Sequence, residues 1–156
     1  MWKPQIEYLK KNYRVITPDL PGFGKSNFIA SCNSIECMAE AILNLLEKKK
    51  IKNFNLLGHS MGGMIVQMMA IEHPARIISL TSIMSSPGDP KVGQPSAEAR
   101  AALLAPPAIE RGAYIEEATR ARVWLSRKYY SEEATKNRSA RQFDRVFYPE
   151  GFTRQL

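Results

Sequence analysis

Gly58-His59-Ser60-Met61-Gly62 sits where the apolar stretch Phe54-Asn55-Leu56-Leu57 meets a helical pattern over residues 64–71. A Gly-x-Ser-x-Gly pentapeptide between a strand and a helix reads as a nucleophile elbow. It singles out one atom, the Ser60 hydroxyl oxygen, as a candidate centre of chemistry. It also sets a problem, because a serine nucleophile needs a base and the chain has only two histidines.

The residue types in the pentapeptide have a steric logic. Ser60 must occupy a tight, strained turn so that its hydroxyl stands clear of the sheet. Gly58 and Gly62 leave room for strand and helix to approach closely. The helix start offers unpaired backbone N–H groups, and the Met61 amide is placed to receive a developing oxyanion. One such donor is worth roughly 2.7–4 kcal/mol. The alternative is a tight turn holding an inert serine. A strand pattern before, an apolar helix after and a third glycine, Gly63, favour the elbow.

Working outward, Tyr13-Arg14-Val15-Ile16-Thr17 is aromatic and β-branched and closes at Pro18, so it reads as a strand. Pro21-Gly22-Phe23-Gly24 follows as a loop. A helix is expected to begin near Asn33, with Glu36 completing a capping box. Ile35, Met38, Ala39, Ile42, Leu45 and Leu46 keep helical spacing along it, and Lys48-Lys49-Lys50 ends it, where cations offset the helix dipole. Residues 64–71 are apolar nearly all round, as in a buried helix, and Pro74 stops them. Residues 77–84 form a third strand, apolar enough to be buried on both faces. Alternating strands and helices imply α/β architecture with a parallel sheet and crossover helices. From Ser85 to Pro95 the chain turns rich in Pro, Gly and Ser and reads as a loop. Helical stretches follow at residues 97–104, 109–130 and 132–147, with no strand pattern among them.

Tyr13-Arg14-Val15-Ile16-Thr17-Pro18-Asp19-Leu20-Pro21-Gly22-Phe23-Gly24-Lys25-Ser26, followed by Gly58-His59-Ser60-Met61-Gly62-Gly63, resembles the α/β-hydrolase superfamily. Leu80-Thr81-Ser82-Ile83-Met84-Ser85-Ser86-Pro87-Gly88-Asp89-Pro90, Leu103-Leu104-Ala105-Pro106-Pro107 and Phe147-Tyr148-Pro149-Glu150-Gly151 resemble a narrower set, bacterial esterase-like members akin to the aclacinomycin methylesterases. The resemblance implies a partial α/β-hydrolase core over residues 1–95 and a partial helical cap over residues 96–156. It also implies hydrolysis of a carboxylic ester or related acyl bond, a small ester-type substrate, and no metal or organic cofactor. Leu103, Leu104, Tyr114 and Trp124 are apolar cap candidates for an apolar substrate, or ordinary helix packing.

Neither histidine serves Ser60 easily. His59 is its neighbour, and adjacent side chains at a strand end point to opposite sides; His59 either lines the pocket or packs. His73 falls near the far end of the helix, roughly 20 Å away, whereas a general base must reach about 2.6–3.2 Å. The resemblance implies that base and acid come from loops after later strands, and that a His-Gly segment ahead of the position of Trp2 supplies the second oxyanion donor. The chain reads through neither, so it is expected to be a fragment that is poorly stable alone or needs a complementing polypeptide. Asp89 after the third strand is a candidate triad acid, with a structural turn as the alternative. Asp19 is expected to orient its loop by hydrogen bonds. An inactive remnant or a non-catalytic binding module of the same fold remains the rival reading.

Gly24-Lys25-Ser26 after a strand hints at a phosphate-binding loop. That motif requires glycine where Asp19 stands, and Pro18 and Pro21 remove amide donors. The chain has 156 residues, 44% hydrophobic and 24% charged, with a formal net charge of +7, an ordinary globular composition. The charge accompanies no nucleic-acid motif and reads as a solvated basic exterior. No apolar run approaches the roughly 20 residues that span a bilayer. Cys32 and Cys37 are too few for a disulfide framework or a four-ligand zinc site. Free thiols in a reducing, cytoplasmic setting are the expectation.

Overall fold

A short parallel sheet, with helices packed on it, organises the first two thirds of the chain. The computed structural model describes residues 2–125 and 131–144. The elements run α1 (Lys3–Leu9), α2 (Ile35–Lys48), β1 (Phe54–His59), α3 (Met61–Glu72), a 3-10 turn (Pro74–Arg76), β2 (Ile77–Ile83), α4 (Ala97–Leu104), α5 (Arg111–Leu125) and α6 (Glu132–Phe143). β1 and β2 pair in parallel, with Leu56 opposite Leu80, Gly58 opposite Ser82 and His59 opposite Ile83. α3 is the crossover between them.

The core lies between α2, α3 and β1. The apolar stripe of α2 buries Met38, Ala39, Leu43 and Leu46 against Leu56 of β1 and Ile65, Val66 and Met69 of α3. Ile65 and Met69 are fully enclosed. Burying a side chain of this size is worth about 1.5–3 kcal/mol, so these few residues hold the sheet and both helices together. α2 starts one residue later than its sequence suggests. Ser34, not Asn33, is the N-cap, accepting from the Cys37 N–H at 3.2 Å. Glu36 lies inside the first turn, where its own N–H and then the Ser34 hydroxyl hold its carboxyl below the usual range.

The same turn overturns the free-thiol expectation. Cys32 stands two residues ahead of the cap and the first turn brings Cys37 back toward it. Their Cα atoms are 5.4 Å apart and the two are joined in a disulfide, well within the span a bridge can close. Counting cysteines missed this, because the pairing comes from local chain reversal rather than from a framework.

Two strand expectations change. Residues 14–20 form no helix or turn and belong to no ladder. A strand needs a neighbour for its N–H and C=O groups, and none flanks this segment among the described residues. It is held instead by Ile16 and Leu20 packing on the core. β2 is a strand as expected, yet it is not buried on both faces: Ile78 is 64% and Leu80 42% exposed. Among the described residues β1 flanks one edge only, and α3 packs on one face of the pair, across both strands. The α3 helix is likewise not apolar-buried all round, since Ile71 is 75% exposed.

Beyond the loop after β2, α5 and α6 pack chiefly on each other. Arg111 donates to both carboxylate oxygens of Asp144, at 2.7 and 2.8 Å, and the Tyr114 ring meets Phe143 at 5.3 Å. Thr119, Thr135 and Ser139 are buried in the seam. The Thr119 hydroxyl donates to Ser139 at 3.4 Å and the Ser139 hydroxyl to the Thr135 carbonyl at 3.1 Å. Residues 147–151 of the resemblance, and the expected helical residues 126–130 and 145–147, lie outside the described residues, as do the side chains of Leu103, Leu104 and Trp124.

Candidate active site

The elbow is built by two elements that cannot both continue through Ser60. β1 ends at His59 and α3 begins at Met61, leaving Ser60 at φ 55° and ψ −124°. That is a backbone region L-residues avoid, at a cost of order 1–3 kcal/mol that the surroundings must offset. They do so with hydrogen bonds on both sides. The Ser60 N–H donates to the Ile83 carbonyl at 2.9 Å, and the Ser60 carbonyl accepts from Gly63 at 2.8 Å and Met64 at 3.3 Å. The Ser60 side chain is exposed and caps no N–H of α3. The Met61 and Gly62 N–H groups take no acceptor among the described residues. An exposed hydroxyl beside unpaired amide donors at a helix start can present an oxygen nucleophile and receive an oxyanion.

The glycines divide the steric work differently from the expectation. A Cβ on Gly58 would lie 2.1 Å from the Gly62 carbonyl oxygen and 2.7 Å from Val66, so Gly58 is where strand and helix close. A Cβ on Gly62 would meet nothing within 4 Å; its side is open space, and the room expected of it is not needed. Gly63 takes that part. A Cβ there would fall 2.4 Å from Ser85 Cβ and 2.7 Å from Ser82 Oγ.

The other candidates fall around this turn or away from it. His59 is half-buried with its ring edge-on to Trp2, centroids 6.4 Å apart, so it packs. His73 is the exposed C-cap of α3, about 18 Å along a helix of this length from its start. Asp89 forms a turn: its carboxylate accepts from the Lys91 N–H at 2.8 Å, and its carbonyl accepts from Val92 at 3.0 Å and Gln94 at 3.1 Å. The described residues bring no histidine into a hydrogen bond with Ser60 or Asp89.

Asp19 organises its own loop. Its carboxylate accepts from the Lys25 N–H at 3.1 Å and its carbonyl from the Ser26 hydroxyl at 2.7 Å. Gly24, at φ 55°, has no room for a Cβ beside that carboxylate. The Lys25 amide that a phosphate would need is thus held by a negative side chain. A groove of about 310 Å³ runs between this loop and α2, over Leu20, Ile29, Ile42 and Leu45, and does not reach Ser60.

One residue near the elbow escaped sequence reasoning. Gln67, on the face of α3 that carries Gly63, sends its side-chain amide toward the exit of β2. Its Nε2 lies 3.0 Å from the Gly63 carbonyl, 3.1 Å from Ser82 Oγ, and 3.4 Å from both Ser85 Oγ and the Ser86 carbonyl. A polar residue in the middle of the otherwise apolar residues 64–71 was the available signal.

Comparison with known proteins gives this geometry a family. A stretch of 87 residues is 41% identical to a pimeloyl-[acyl-carrier protein] methyl ester esterase of Legionella pneumophila, covering 56% of this chain and 33% of that protein. A stretch of 81 residues is 36% identical to 3-oxoadipate enol-lactonase 1 of Acinetobacter baylyi, covering 52% and 30%. The chain thus spans about a third of the length of these curated relatives. In three dimensions it superposes on a hydrolase from Pseudomonas aeruginosa with a TM-score of 0.68 at 23% identity, over 99% of this chain and 57% of that one, a likeness of fold. The profile of the alpha/beta hydrolase fold matches residues 1–152, and the chain belongs to the α/β-hydrolase family.

Proposed function

We propose that this chain carries the nucleophile-bearing half of a serine hydrolase that opens a carboxylic ester or related acyl bond. The observation that carries the reading is Ser60 itself, exposed at φ 55° between β1 and α3. In this reading Ser60 Oγ attacks the substrate carbonyl and loses its proton to a base. The tetrahedral oxyanion is received by the Met61 N–H, and collapse expels the alcohol to leave an acyl-enzyme that water hydrolyses. The relatives, a methyl ester esterase and an enol-lactonase, support an acyl–oxygen bond as the target. The substrate is a small ester-type molecule, and the chemistry asks for no metal or organic cofactor.

His59 packs on Trp2 and His73 caps the far end of α3, so the base and its acid come from a complementing polypeptide segment. Asp89 is a lesser candidate for the acid, since its carboxylate already serves the Lys91 N–H. The same two histidine positions favour the second reading, an inactive remnant or binding module of the fold. Residues 1–95 act as the core and 96–156 as the cap. A cytoplasmic location belongs to this reading as well, and titration of free thiols in protein taken from the cytoplasm tests it against the Cys32–Cys37 bridge.

A fluorophosphonate probe separates the two functional readings. The hydrolase reading expects covalent labelling of the folded protein, with the complementing segment present, that disappears in Ser60→Ala. Absence of labelling in demonstrably folded, complemented protein favours the remnant.

A further inference from the structure

Ser60 and Met84 leave the sheet side by side. His59 pairs with Ile83 in the ladder, so the next residue on each strand is Ser60 and Met84, and both have positive φ, 55° and 49°. Neither is glycine. Two neighbouring strained exits persist only where the surroundings over-determine them. One link between them is the Ser60 N–H to Ile83 carbonyl bond at 2.9 Å. The other is the contact of Gly63 with Ser82 and Ser85, and the group that spans it is the Gln67 amide.

We propose that Gln67 is a positioning residue for Ser60. Its Nε2 has two N–H groups facing four acceptors, with the Gly63 carbonyl and Ser82 Oγ nearest at 3.0 and 3.1 Å. These acceptors lie on both sides of the seam: Gly63 on α3, Ser82 on β2, and Ser85 and Ser86 on the loop that follows it. The amide therefore ties the first turn of α3 to the segment that turns at Met84. The residues around it on α3 are Met64, Ile65, Val66, Met68 and Met69. A half-buried amide among them is tolerable only with its hydrogen bonds made. Without them, the β2 exit is free to shift relative to α3, the Ile83 carbonyl moves from the Ser60 N–H, and the hydroxyl loses its fixed direction. The consequence for catalysis rests on the reading of Ser60 as a nucleophile; the positioning itself does not.

The test compares wild type with Gln67→Met, which keeps length and volume but donates no hydrogen bond, and with Ser82→Ala/Ser85→Ala, which leaves the amide in place and removes two acceptors. Amide hydrogen exchange is followed by NMR alongside the rate of fluorophosphonate labelling with the complementing segment present. Gln67→Met is expected to speed exchange of the Ser60 N–H roughly ten-fold, the worth of one to two hydrogen bonds, while Leu56 and Leu57 change less than about two-fold. The serine double variant is expected to show a smaller shift in the same direction. The maximal labelling rate falls by a similar factor, with half-saturating probe concentration unchanged. Equal exchange at Ser60 in all three proteins, or a uniform increase across β1, overturns the proposal. If Ser60 protection is lost selectively but even wild type is not labelled, the positioning stands and the hydrolase reading fails. If wild type is labelled and Gln67→Met is labelled equally fast, the hydrolase reading stands and the positioning fails.

Discussion

The carbonyl oxygen of Gly62 occupies the place where a side chain on Gly58 would begin, 2.1 Å from the position of its Cβ. Backbone cannot rotate away as a side chain can, so this contact fixes how closely α3 closes on β1. Gly58→Ala is expected to cost about 1–3 kcal/mol, the usual cost of overpacking. Gly62→Ala, whose Cβ meets open space, is expected to cost well under that. Chemical denaturation of the two variants checks the ordering; equal stability would show that α3 is not seated as described.

The strain at Ser60 makes a second prediction. Glycine adopts positive φ freely, at the expense of more chain entropy on folding. Ser60→Gly is therefore expected to raise stability by about 1 kcal/mol while removing the nucleophile. Ser60→Ala, which keeps a Cβ in the same backbone region, is expected to change stability little. A thermal melt in which Ser60→Gly is less stable than Ser60→Ala would contradict the strain assignment.

The Cys32–Cys37 bridge closes a short loop ahead of α2. A loop of this size is worth about 2 kcal/mol in chain entropy. The unfolded, non-reduced protein is expected to show no free thiol, and Cys32→Ala/Cys37→Ala to lower the unfolding free energy by about that amount. Two titratable thiols in the unfolded, non-reduced protein would remove the bridge from the account.

Acid is expected to loosen the α5–α6 pair before the core. Hydrogen bonds from Arg111 hold the Asp144 carboxyl below its ordinary value, and the Arg111 guanidinium is pushed up by the same pair. A carboxylate whose folded value lies below its unfolded one contributes stability fully above the unfolded value. That contribution is lost as pH falls through the folded value. Both side chains are exposed, so the effect is small. It should appear as a loss of Tyr114–Phe143 contact below the ordinary aspartate range. Asp144→Asn should weaken the pH dependence, leaving the part carried by Glu110, which the Gly112 and Ala113 N–H groups hold below its ordinary value; an unchanged acid transition in that variant would assign it elsewhere.

Ile78 and Leu80 stand exposed on β2, whose second edge pairs with no strand among the described residues. Apolar strand edges recruit other chains. Ile78→Lys is expected to reduce self-association, read by light scattering across a concentration series, without lowering thermal stability. Unchanged scattering would place the association surface elsewhere.

What was legible in the sequence was whatever rests on local pattern. The apolar spacing of α2, the Pro74 stop and the Gly58–Gly62 turn each report a backbone requirement in the residues themselves, and Ser60 was placed by them. What was missed depends on residues distant in sequence or on an unfavoured choice. Lys50 takes the left-handed position after α2 (φ 56°), where glycine is usual. Arg76 donates to the carbonyls of Ile51 and Lys52 at 2.8 and 3.0 Å and lies over the Phe54 ring, a clamp across the base of the sheet with no local signature. The 13–17 strand pattern was sound as a propensity, but a strand is defined by its neighbour. Gln67 and Gly63 matter because α3 and the exit of β2 meet there, which no window of sequence displays.

The most direct measurement is the intact mass of the folded protein after exposure to a fluorophosphonate probe, with the labelled peptide sequenced. With the complementing segment that supplies the base present, the account predicts one adduct per chain, on Ser60, lost in Ser60→Ala and slowed in Gln67→Met. Folded, complemented protein that takes up no probe, or takes it up equally in Ser60→Ala, would contradict the claim that Ser60 is an activated nucleophile.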